Sequence, residues 1–212
     1  MSKDYSQLTY LEFLIQFSKK LHKYKPVIFY GTLLGITREN HIIKNDDDID
    51  FLVDLKFKDK IIKDILKDKK FKINKKTSDN FFTQFYFEIN NILFFIEFYF
   101  YINKKENNYI IDKHSFFGDL SNDNLFLHIP KSFFFPLKKY NKIESVYLPN
   151  KSKALCKFLY GDHWNIPLKK NFAYRIKMIN NKPIITNKSY FSYLSKEAKT
   201  ILKSFFKIFS CN

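Results

Sequence analysis

Four aspartates, Asp46, Asp47, Asp48 and Asp50, occur within five residues and lead directly into an apolar stretch. Asp46, Asp48 and Asp50 are two residues apart, so on an extended backbone their side chains project to one face. Three carboxylates on one face repel one another unless a cation lies among them, and ligation by oxygen alone favours Mg²⁺ or Mn²⁺. The spacing therefore predicts a divalent-metal site at the start of a strand that includes Asp50–Val53.

Acidic runs of this kind also occur without metal chemistry, as a solvated loop or as the N-cap of a helix. A calcium loop of the EF-hand type fits poorly. Counting from Asp46 places Phe51 where the required glycine belongs and Phe57 where the bidentate glutamate belongs. The metal site is the favoured interpretation, because the aspartates open an apolar strand and a glycine turn, Gly31-Thr32, precedes them.

The segments before the aspartates predict how the site is positioned. Leu8–Tyr24 carries apolar residues at helical spacing, and Pro26 ends that helix. Val27–Tyr30 predicts a short buried strand that leads into Gly31, and a second helix is expected to begin near Thr32. The backbone N–H groups and the dipole at this helix start favour a bound phosphate. A phosphate-binding turn beside a divalent metal is what phosphoryl or nucleotidyl transfer requires.

The segments after the aspartates predict a lysine-rich helix over Phe57–Lys69 and then a β-hairpin. The hairpin strands are Phe81–Ile89 and Ile92–Ile102, joined by a tight turn of two asparagines. The pattern further predicts an edge strand and a short helix, at Tyr109–Asp112 and Ser152–Tyr160.

The string G-T-L-L-G-x-x-R at residues 31–38, followed by D-D-D-I-D at 46–50, resembles the LicD/fukutin family of the DNA polymerase beta-like nucleotidyltransferase superfamily. The resemblance continues in blocks at 136–139, 146–150 and 159–167, which read like the closing blocks of the family. It implies an α+β fold, in which a mixed sheet of the nucleotidyltransferase type is flanked by helices and followed by a helical C-terminal extension.

The resemblance implies a catalytic carboxylate set. Asp48 and Asp50 match the family's Asp-x-Asp pair, and a third carboxylate is expected on a later strand, where the family usually has an aspartate. The matching strand of this chain offers Glu97, with Glu88 on the preceding strand as the competing candidate. Asp48, Asp50 and Glu97 are therefore the expected catalytic residues, and with Asp46 they are the expected ligands of Mg²⁺ or Mn²⁺. Glu97 would bind a second ion or deprotonate the acceptor hydroxyl.

Three further residues are expected to bind the donor. Gly31 and Thr32 match the family's glycine turn and would hold the phosphates. Arg38 would neutralise charge on those phosphates, because a guanidinium grips phosphate oxygens as a fork; a salt bridge to the aspartates is the alternative role.

By resemblance, the expected function is transfer of a phospho-alcohol, such as phosphocholine, from a CDP-linked donor to a glycan hydroxyl. The acceptor would be a surface polysaccharide, lipo-oligosaccharide or teichoic-acid precursor. One alternative keeps the fold and uses an NTP to modify RNA, a protein or a small molecule. Another is a degenerate member that only binds. The formal charge of +16 would suit an RNA, but no recognised RNA-binding motif occurs, so nucleic acid is not an expected partner.

The resemblance spans roughly Leu8 to Pro167, which implies a catalytic domain over 1–170, followed by a basic extension over 171–212. From Lys151 onward there are thirteen Lys or Arg residues and two acids. Tyr190–Phe209 reads as a basic amphipathic helix, which either contacts an anionic membrane peripherally or packs on the domain with its lysines in solvent.

Two cysteines, Cys156 and Cys211, match no metal or redox spacing, and Cys156 reads as a core residue. The N-terminal residues lack the apolar core of a signal peptide, and no segment approaches the ~20 apolar residues of a membrane span. A cytoplasmic protein is expected, in peripheral contact with the inner membrane face if the basic helix binds there.

Overall fold

The computed structural model describes residues 10–43, 46, 48–89, 92–112, 127–140, 143–162, 164–167, 178–179 and 182–183. The helices in these ranges are α1 Tyr10–Leu21, α2 Tyr30–Glu39, α3 Lys58–Leu66, α4 Lys131–Phe134 and α5 Ser152–Tyr160. Short 3-10 helices follow α1 and precede α3, at His22–Tyr24 and Leu55–Phe57. The strands are β1 Val27–Ile28, β2 Asp48–Asp54, β3 Lys72–Ile73, β4 Phe82–Ile89, β5 Ile92–Ile102, β6 Tyr109–Asp112, β7 Leu127–Pro130, β8 Lys138–Tyr140, β9 Ile143–Leu148, β10 Met178–Ile179 and β11 Lys182–Pro183.

Nine of the described strands form one mixed sheet, which makes the fold α+β as expected. The main path runs β3-β4-β5-β2-β1-β9-β8, and β6 joins β5 to β7. Two neighbouring pairs are parallel, β2 with β5 and β1 with β9, and the other pairs are antiparallel. The parallel β2–β5 pair lies inside the sheet, between β4 and β1, so both strands that carry candidate acids have neighbours on each side.

One face of the sheet is closed by α1. Phe17 of this helix is fully buried and lies 6.1 Å from the Phe51 ring and 6.3 Å from the Phe98 ring, measured between centroids. Phe13, one helical turn earlier, stacks on Phe87 of β4 at 5.1 Å. The side chains of β2 and β5 that point to this face are fully or almost fully buried: Ile49, Phe51, Val53, Ile96, Phe98 and Phe100.

The opposite face carries the acidic side chains, because successive residues of a strand alternate between faces. Asp48 and Asp50 alternate with the core residues of β2, and Glu97 does so on β5. The apolar alternation that buries Phe51 and Phe98 against α1 therefore fixes the carboxylates on the far side, since a shift of one residue would exchange the two faces.

Most sequence-predicted elements are present. The helix before Pro26, the β2 strand, the hairpin and the helix over Ser152–Tyr160 are confirmed. Some details differ. The strand predicted over Val27–Tyr30 ends at Ile28, and the second helix begins at Tyr30 rather than near Thr32. The lysine-rich helix predicted over Phe57–Lys69 is shorter, Lys58–Leu66. Tyr109–Asp112 is not an edge strand, because it pairs with both β5 and β7.

The chain divides into two units. Met1–His114 with Phe126–Cys156 form the first, and Ser115–Leu125 with Lys157–Asn212 form the second. Within the second unit the structure describes the antiparallel pair β10–β11. The predicted boundary at residue 170 stays a prediction, because residues 168–177 lie outside the described residues, as does the predicted amphipathic helix Tyr190–Phe209. Among the described helices, none has the length and apolar character needed to cross a bilayer.

Candidate active site

Three carboxylates converge at the centre of the sheet. Asp50 and Glu97 are register partners on the parallel strands β2 and β5, and Asp48 lies two residues before Asp50 on the same face. One oxygen atom of each of Asp48, Asp50 and Glu97 lies within 4.8 Å of the others. Strands β2 and β5 together thus bring Asp48, Asp50 and Glu97 to one place, and the catalytic and metal-binding roles expected of them stay predictions.

Asp50 is the most deeply placed of the three, with 4% of its surface exposed. Burial and the negative charges of Asp48, Glu97 and Asp46 raise the pKa of its carboxyl well above the ordinary value. The N–H of Thr32 opposes this shift, because it donates to Asp50 Oδ2 at 3.2 Å. In the absence of a cation, the cluster therefore disfavours full ionisation of Asp50.

The start of α2 is tied to Asp50 by two hydrogen bonds. The Thr32 N–H donates to the Asp50 carboxylate at 3.2 Å, and the Asp50 N–H donates to Thr32 Oγ1 at 2.8 Å. Phe29 extends the connection, since its N–H donates to the Asp50 carbonyl at 3.0 Å. Thr32 is fully buried, so this reciprocal pair fixes the helix start against β2.

Gly31 leaves room for two carboxylates. A Cβ atom built at this position would lie 3.2 Å from both Asp46 Oδ2 and Asp50 Oδ2. That separation is tighter than ordinary van der Waals contact, so any larger residue would crowd the acids. The same distances place Asp46, which is 9% exposed, beside Asp50 at the helix start. The glycine of the turn is therefore explained by the close approach of these carboxylates.

Glu97 is held by two side-chain donors. Gln84, its register partner on β4, donates from Nε2 to Glu97 Oε1 at 2.7 Å. Tyr99, two residues further along β5, donates from Oη to Glu97 Oε2. Gln84 is itself anchored, because Oε1 accepts from Asn74 Nδ2 at 2.7 Å and from Thr77 Oγ1 at 3.1 Å. Each oxygen of Glu97 thus has a defined donor.

An aromatic pair borders the cluster. The rings of Tyr30 and Tyr99 meet edge to face with centroids 4.7 Å apart, and Tyr30 Oη donates to Asp112 Oδ2 at 2.8 Å. Tyr30 adopts a positive φ of 35°, which few non-glycine residues do. Burial and the negative charge of Glu97 raise the pKa of the Tyr99 hydroxyl well above its usual value, so Tyr99 stays a proton donor to Glu97.

The remaining sequence candidates are placed as follows. Glu88 is exposed and pairs with Leu93 near the hairpin turn, four residues along β4 from the partner of Glu97. At about 3.3 Å per residue this separation is about 13 Å, so Glu97 and not Glu88 joins the cluster. Arg38 lies in the last turn of α2 and forms an ion pair with Glu39. Asp47 lies outside the described residues.

Gln84 and Tyr99 were missed by the sequence analysis. The signal for Tyr99 was available, because a residue two positions from Glu97 shares its face in a strand. Gln84 had no comparable signal, since its contact with Glu97 depends on the register of the β4–β5 pair. Both residues are recognisable only once Glu97 is accepted as a member of the cluster.

The cluster has the composition of a divalent-cation site. Its ligand atoms are carboxylate oxygens, which suit Mg²⁺ or Mn²⁺, and they lie close enough together to share one ion. Gly31 keeps the space beside Asp46 and Asp50 free of a side chain. The residues present therefore fit a metal ion, and the raised pKa of Asp50 is what such a site shows before a cation binds.

Comparison with known proteins gives one family. The family model described as LicD/FKTN/FKRP, nucleotidyltransferase domain, matches residues 24–149, which is more than half of the 212-residue chain. The matched range contains the start of α2, β2 and the β4–β5 hairpin, and so all of the cluster. No curated protein matches the chain.

Proposed function

Since the chain belongs to the LicD/FKTN/FKRP family, we propose that it transfers a phospho-alcohol, phosphocholine or a similar group, from a CDP-linked donor to a hydroxyl of a cell-surface glycan. Family membership indicates a transferase. The observation that carries the proposal is the convergence of Asp48, Asp50 and Glu97 beside the start of α2, because this chemistry moves a phosphoryl group and needs its negative charge neutralised.

In this proposal Asp48, Asp50 and Glu97 hold Mg²⁺ or Mn²⁺, with Asp46 as a further ligand. A metal ion held by these residues would neutralise charge on the donor's phosphates and act as a Lewis acid toward the phosphoryl group that is transferred. Asp50 contributes its carboxylate only after losing the proton that burial and its neighbours favour. Thr32 keeps the carboxylate of Asp50 in place through its N–H.

Glu97 is the residue proposed to receive the proton of the acceptor hydroxyl, or to bind a second metal ion. Its two hydrogen bonds, from Gln84 and Tyr99, fix the direction of its carboxylate. A fixed carboxylate loses little conformational entropy when the acceptor arrives, which favours the reaction geometry.

Gly31, Thr32 and Arg38 are proposed to act on the donor side. The first-turn N–H groups of α2 lie at the positive end of the helix dipole, next to the carboxylate cluster. Gly31 is proposed to hold a phosphate through its backbone N–H, since Asp46 and Asp50 already fill the space that a side chain would need. Thr32 acts chiefly through Asp50, with which it exchanges two hydrogen bonds. Arg38 would need to turn from Glu39 to reach a phosphate.

A leaving-group assay tests the proposal. The full-length chain and MgCl₂ are incubated with CDP-choline, CDP-ethanolamine, CDP-glycerol or CDP-ribitol, and separately with each NTP. A crude glycan extract serves as acceptor, and Asp48→Ala is the control. Release of CMP from one CDP-alcohol, absent in the control, is the expected result and names the donor.

Two outcomes contradict the proposal. Release of pyrophosphate from an NTP, absent with Asp48→Ala, would establish the alternative nucleotidyltransferase activity. A binding-only protein would release neither product and would retain donor binding after Asp48→Ala.

The division into a catalytic domain over 1–170 and a basic extension over 171–212 is part of the proposal. Peripheral contact of the extension with an anionic membrane remains a prediction. It is tested by deleting residues 190–212 and measuring the binding of both forms to vesicles that contain an anionic lipid. Equal binding of both forms would contradict a membrane role for the extension.

A further inference from the structure

The loop between β3 and β4, residues 74–81, is connected to the carboxylate cluster through Gln84. Asn74, the first residue after β3, donates from Nδ2 to Gln84 Oε1 at 2.7 Å, and Gln84 donates from Nε2 to Glu97 Oε1 at 2.7 Å. Within the described residues, Asn74 itself forms no hydrogen bond with a carboxylate of the cluster. Any effect of Asn74 on Glu97 therefore passes through the amide of Gln84.

The orientation of the Gln84 amide decides what Glu97 meets, because one end of an amide accepts hydrogen bonds and the other end donates them. That orientation is set from the loop. The backbone N–H of Lys76, which can only donate, is bonded to Asn74 Oδ1 at 3.2 Å. Asn74 therefore turns its NH₂ group to Gln84, and Gln84 turns its own to Glu97. These three hydrogen bonds, all donated toward Glu97, form what we term the amide relay.

The loop end of the amide relay is held by ordered backbone. The Asn74 N–H donates to the Gln84 carbonyl at 2.9 Å, and the Asn74 carbonyl accepts from Ser78 N at 3.1 Å and from Ser78 Oγ at 2.7 Å. Ser78 Oγ in turn accepts from the Gln84 N–H at 3.2 Å. Ser78 thus ties the loop to β4 at the residue that contacts Glu97, so the relay starts from a fixed point.

We propose that Asn74 is a positioning residue for Glu97, which it serves by fixing the orientation of the Gln84 amide. A carboxylate has lone pairs for more than two contacts, so Glu97 can accept from Gln84 and still bind an ion shared with Asp48 and Asp50. Glu97 is only 8% exposed, so water does not freely replace a lost donor. The inference rests on the proposed function for the metal ion, whereas the relay rests on the three hydrogen bonds.

Asn74→Asp is the sharpest test, because it keeps the shape of the side chain and replaces the donor by an acceptor. Gln84 would then turn its NH₂ group to the new carboxylate and its oxygen to Glu97, which loses a hydrogen bond and gains a repulsive contact. Charge alone predicts the opposite result, since an added carboxylate near the cluster attracts a divalent cation. The direction of the change in metal affinity therefore separates positioning from net charge.

Asn80→Asp is the matched control, because it adds the same charge at an exposed position of the same loop whose side chain takes no part in the amide relay. Mn²⁺ is titrated into each full-length variant and followed by electron paramagnetic resonance, and thermal denaturation in EDTA shows that each is folded. We expect Asn74→Asp to bind Mn²⁺ about tenfold more weakly than Asn80→Asp. Asn74→Ala, which removes the donor without adding charge, should also weaken binding relative to wild type.

The same comparison in a Gln84→Leu background shows whether the effect passes through Gln84. With the amide absent, the difference between Asn74→Asp and Asn80→Asp should disappear. Equal or tighter Mn²⁺ binding by Asn74→Asp than by Asn80→Asp would overturn the proposal, as would a difference that persists with Gln84→Leu. Absence of Mn²⁺ binding by the wild type would instead overturn the metal site of the proposed function, and the inference with it.

Discussion

Asp50 and Glu97 face each other as register partners on adjacent parallel strands, two carboxylates in the middle of a sheet. Their neighbours on the other face are packed against α1, so neither strand can shift to separate them. The apolar core thus holds two carboxylates close together, and a bound cation would relieve the repulsion between their charges. This relationship links the stability of the protein to its metal binding, and the first two predictions follow from it.

Asp48→Asn should stabilise the metal-free protein. It removes one of the charges that raise the pKa of Asp50, so we expect a gain of about 1 kcal/mol in EDTA, or about 2–4 °C in Tm. In MgCl₂ the wild type should gain Tm through binding, whereas the variant should not. Thermal denaturation with and without Mg²⁺ measures both effects, and the exposed Asp59→Asn is the control. A lower Tm of Asp48→Asn in EDTA would contradict the prediction.

The metal-free protein should lose stability as the pH rises, through Asp50. Its pKa is raised in the folded state, so the contribution of Asp50 is fully present below the unfolded pKa of about 4. It is lost as the pH rises through the folded pKa. The unfolding free energy of Asp50→Asn minus that of wild type, in EDTA, should therefore increase with pH. Mg²⁺ affinity of the wild type should increase over the same range, because binding displaces the proton.

Each of the two pH experiments has its own outcome that would contradict the prediction. A difference between Asp50→Asn and wild type that stays flat across the pH range would mean that Asp50 titrates normally in the folded protein. A Mg²⁺ affinity that is independent of pH would mean that the ion does not compete with a proton on the cluster.

Tyr99→Phe should weaken metal binding by removing the donor to Glu97 Oε2 while keeping the buried ring. Loss of a partner that orients a ligand typically costs tenfold or more in metal affinity. Tyr101→Phe is the matched control, because Tyr101 is a buried tyrosine on the same face of β5, one residue pair further along. Mn²⁺ titration followed by electron paramagnetic resonance measures the affinity directly. Equal affinities of the two variants would show that Tyr99 does not position Glu97.

The sequence was sufficient for the part of the site that is local in the chain. The alternation of aspartates and apolar residues predicted both strand β2 and its acidic face. The pair of asparagines between two apolar runs predicted the hairpin that carries Glu97. These inferences succeed because strand alternation and tight turns are properties of adjacent residues.

The rest of the site depends on contacts between distant segments. Gln84 reaches Glu97 only because β4 and β5 pair in one register, and Tyr30 reaches Asp112 across 82 residues. Strands β7 and β8 are four and three residues long, too short for a periodic pattern to identify them. The early start of α2 at Tyr30 depends on a positive φ that the tertiary contacts of this tyrosine hold in place.

Cys156 should be inert to thiol reagents in the folded protein. It is fully buried in α5, and burial raises the pKa of its thiol to about 11. In a Cys211→Ser background, labelling by a disulfide reagent at pH 8 should therefore proceed only as fast as the protein opens, and denaturant should accelerate it. Absorbance of the released thiol follows the reaction. Rapid labelling without denaturant would contradict the core role that the sequence predicted for Cys156.

Gly35→Ala should destabilise the protein, although alanine is the better helix former by about 1 kcal/mol. A Cβ at this position would lie 2.7 Å from the His41 carbonyl oxygen and 2.8 Å from the Ile43 nitrogen, so the backbone after α2 would have to move. Overpacking against backbone costs about 1–3 kcal/mol, which outweighs the gain in propensity. Because that backbone leads to Asp46, the Mg²⁺-induced rise in Tm should also shrink. Gly31→Ala, whose Cβ meets carboxylates at 3.2 Å, should reduce Mg²⁺ binding with a smaller loss of Tm in EDTA. A Gly35→Ala variant more stable than wild type would show that this backbone yields at little cost.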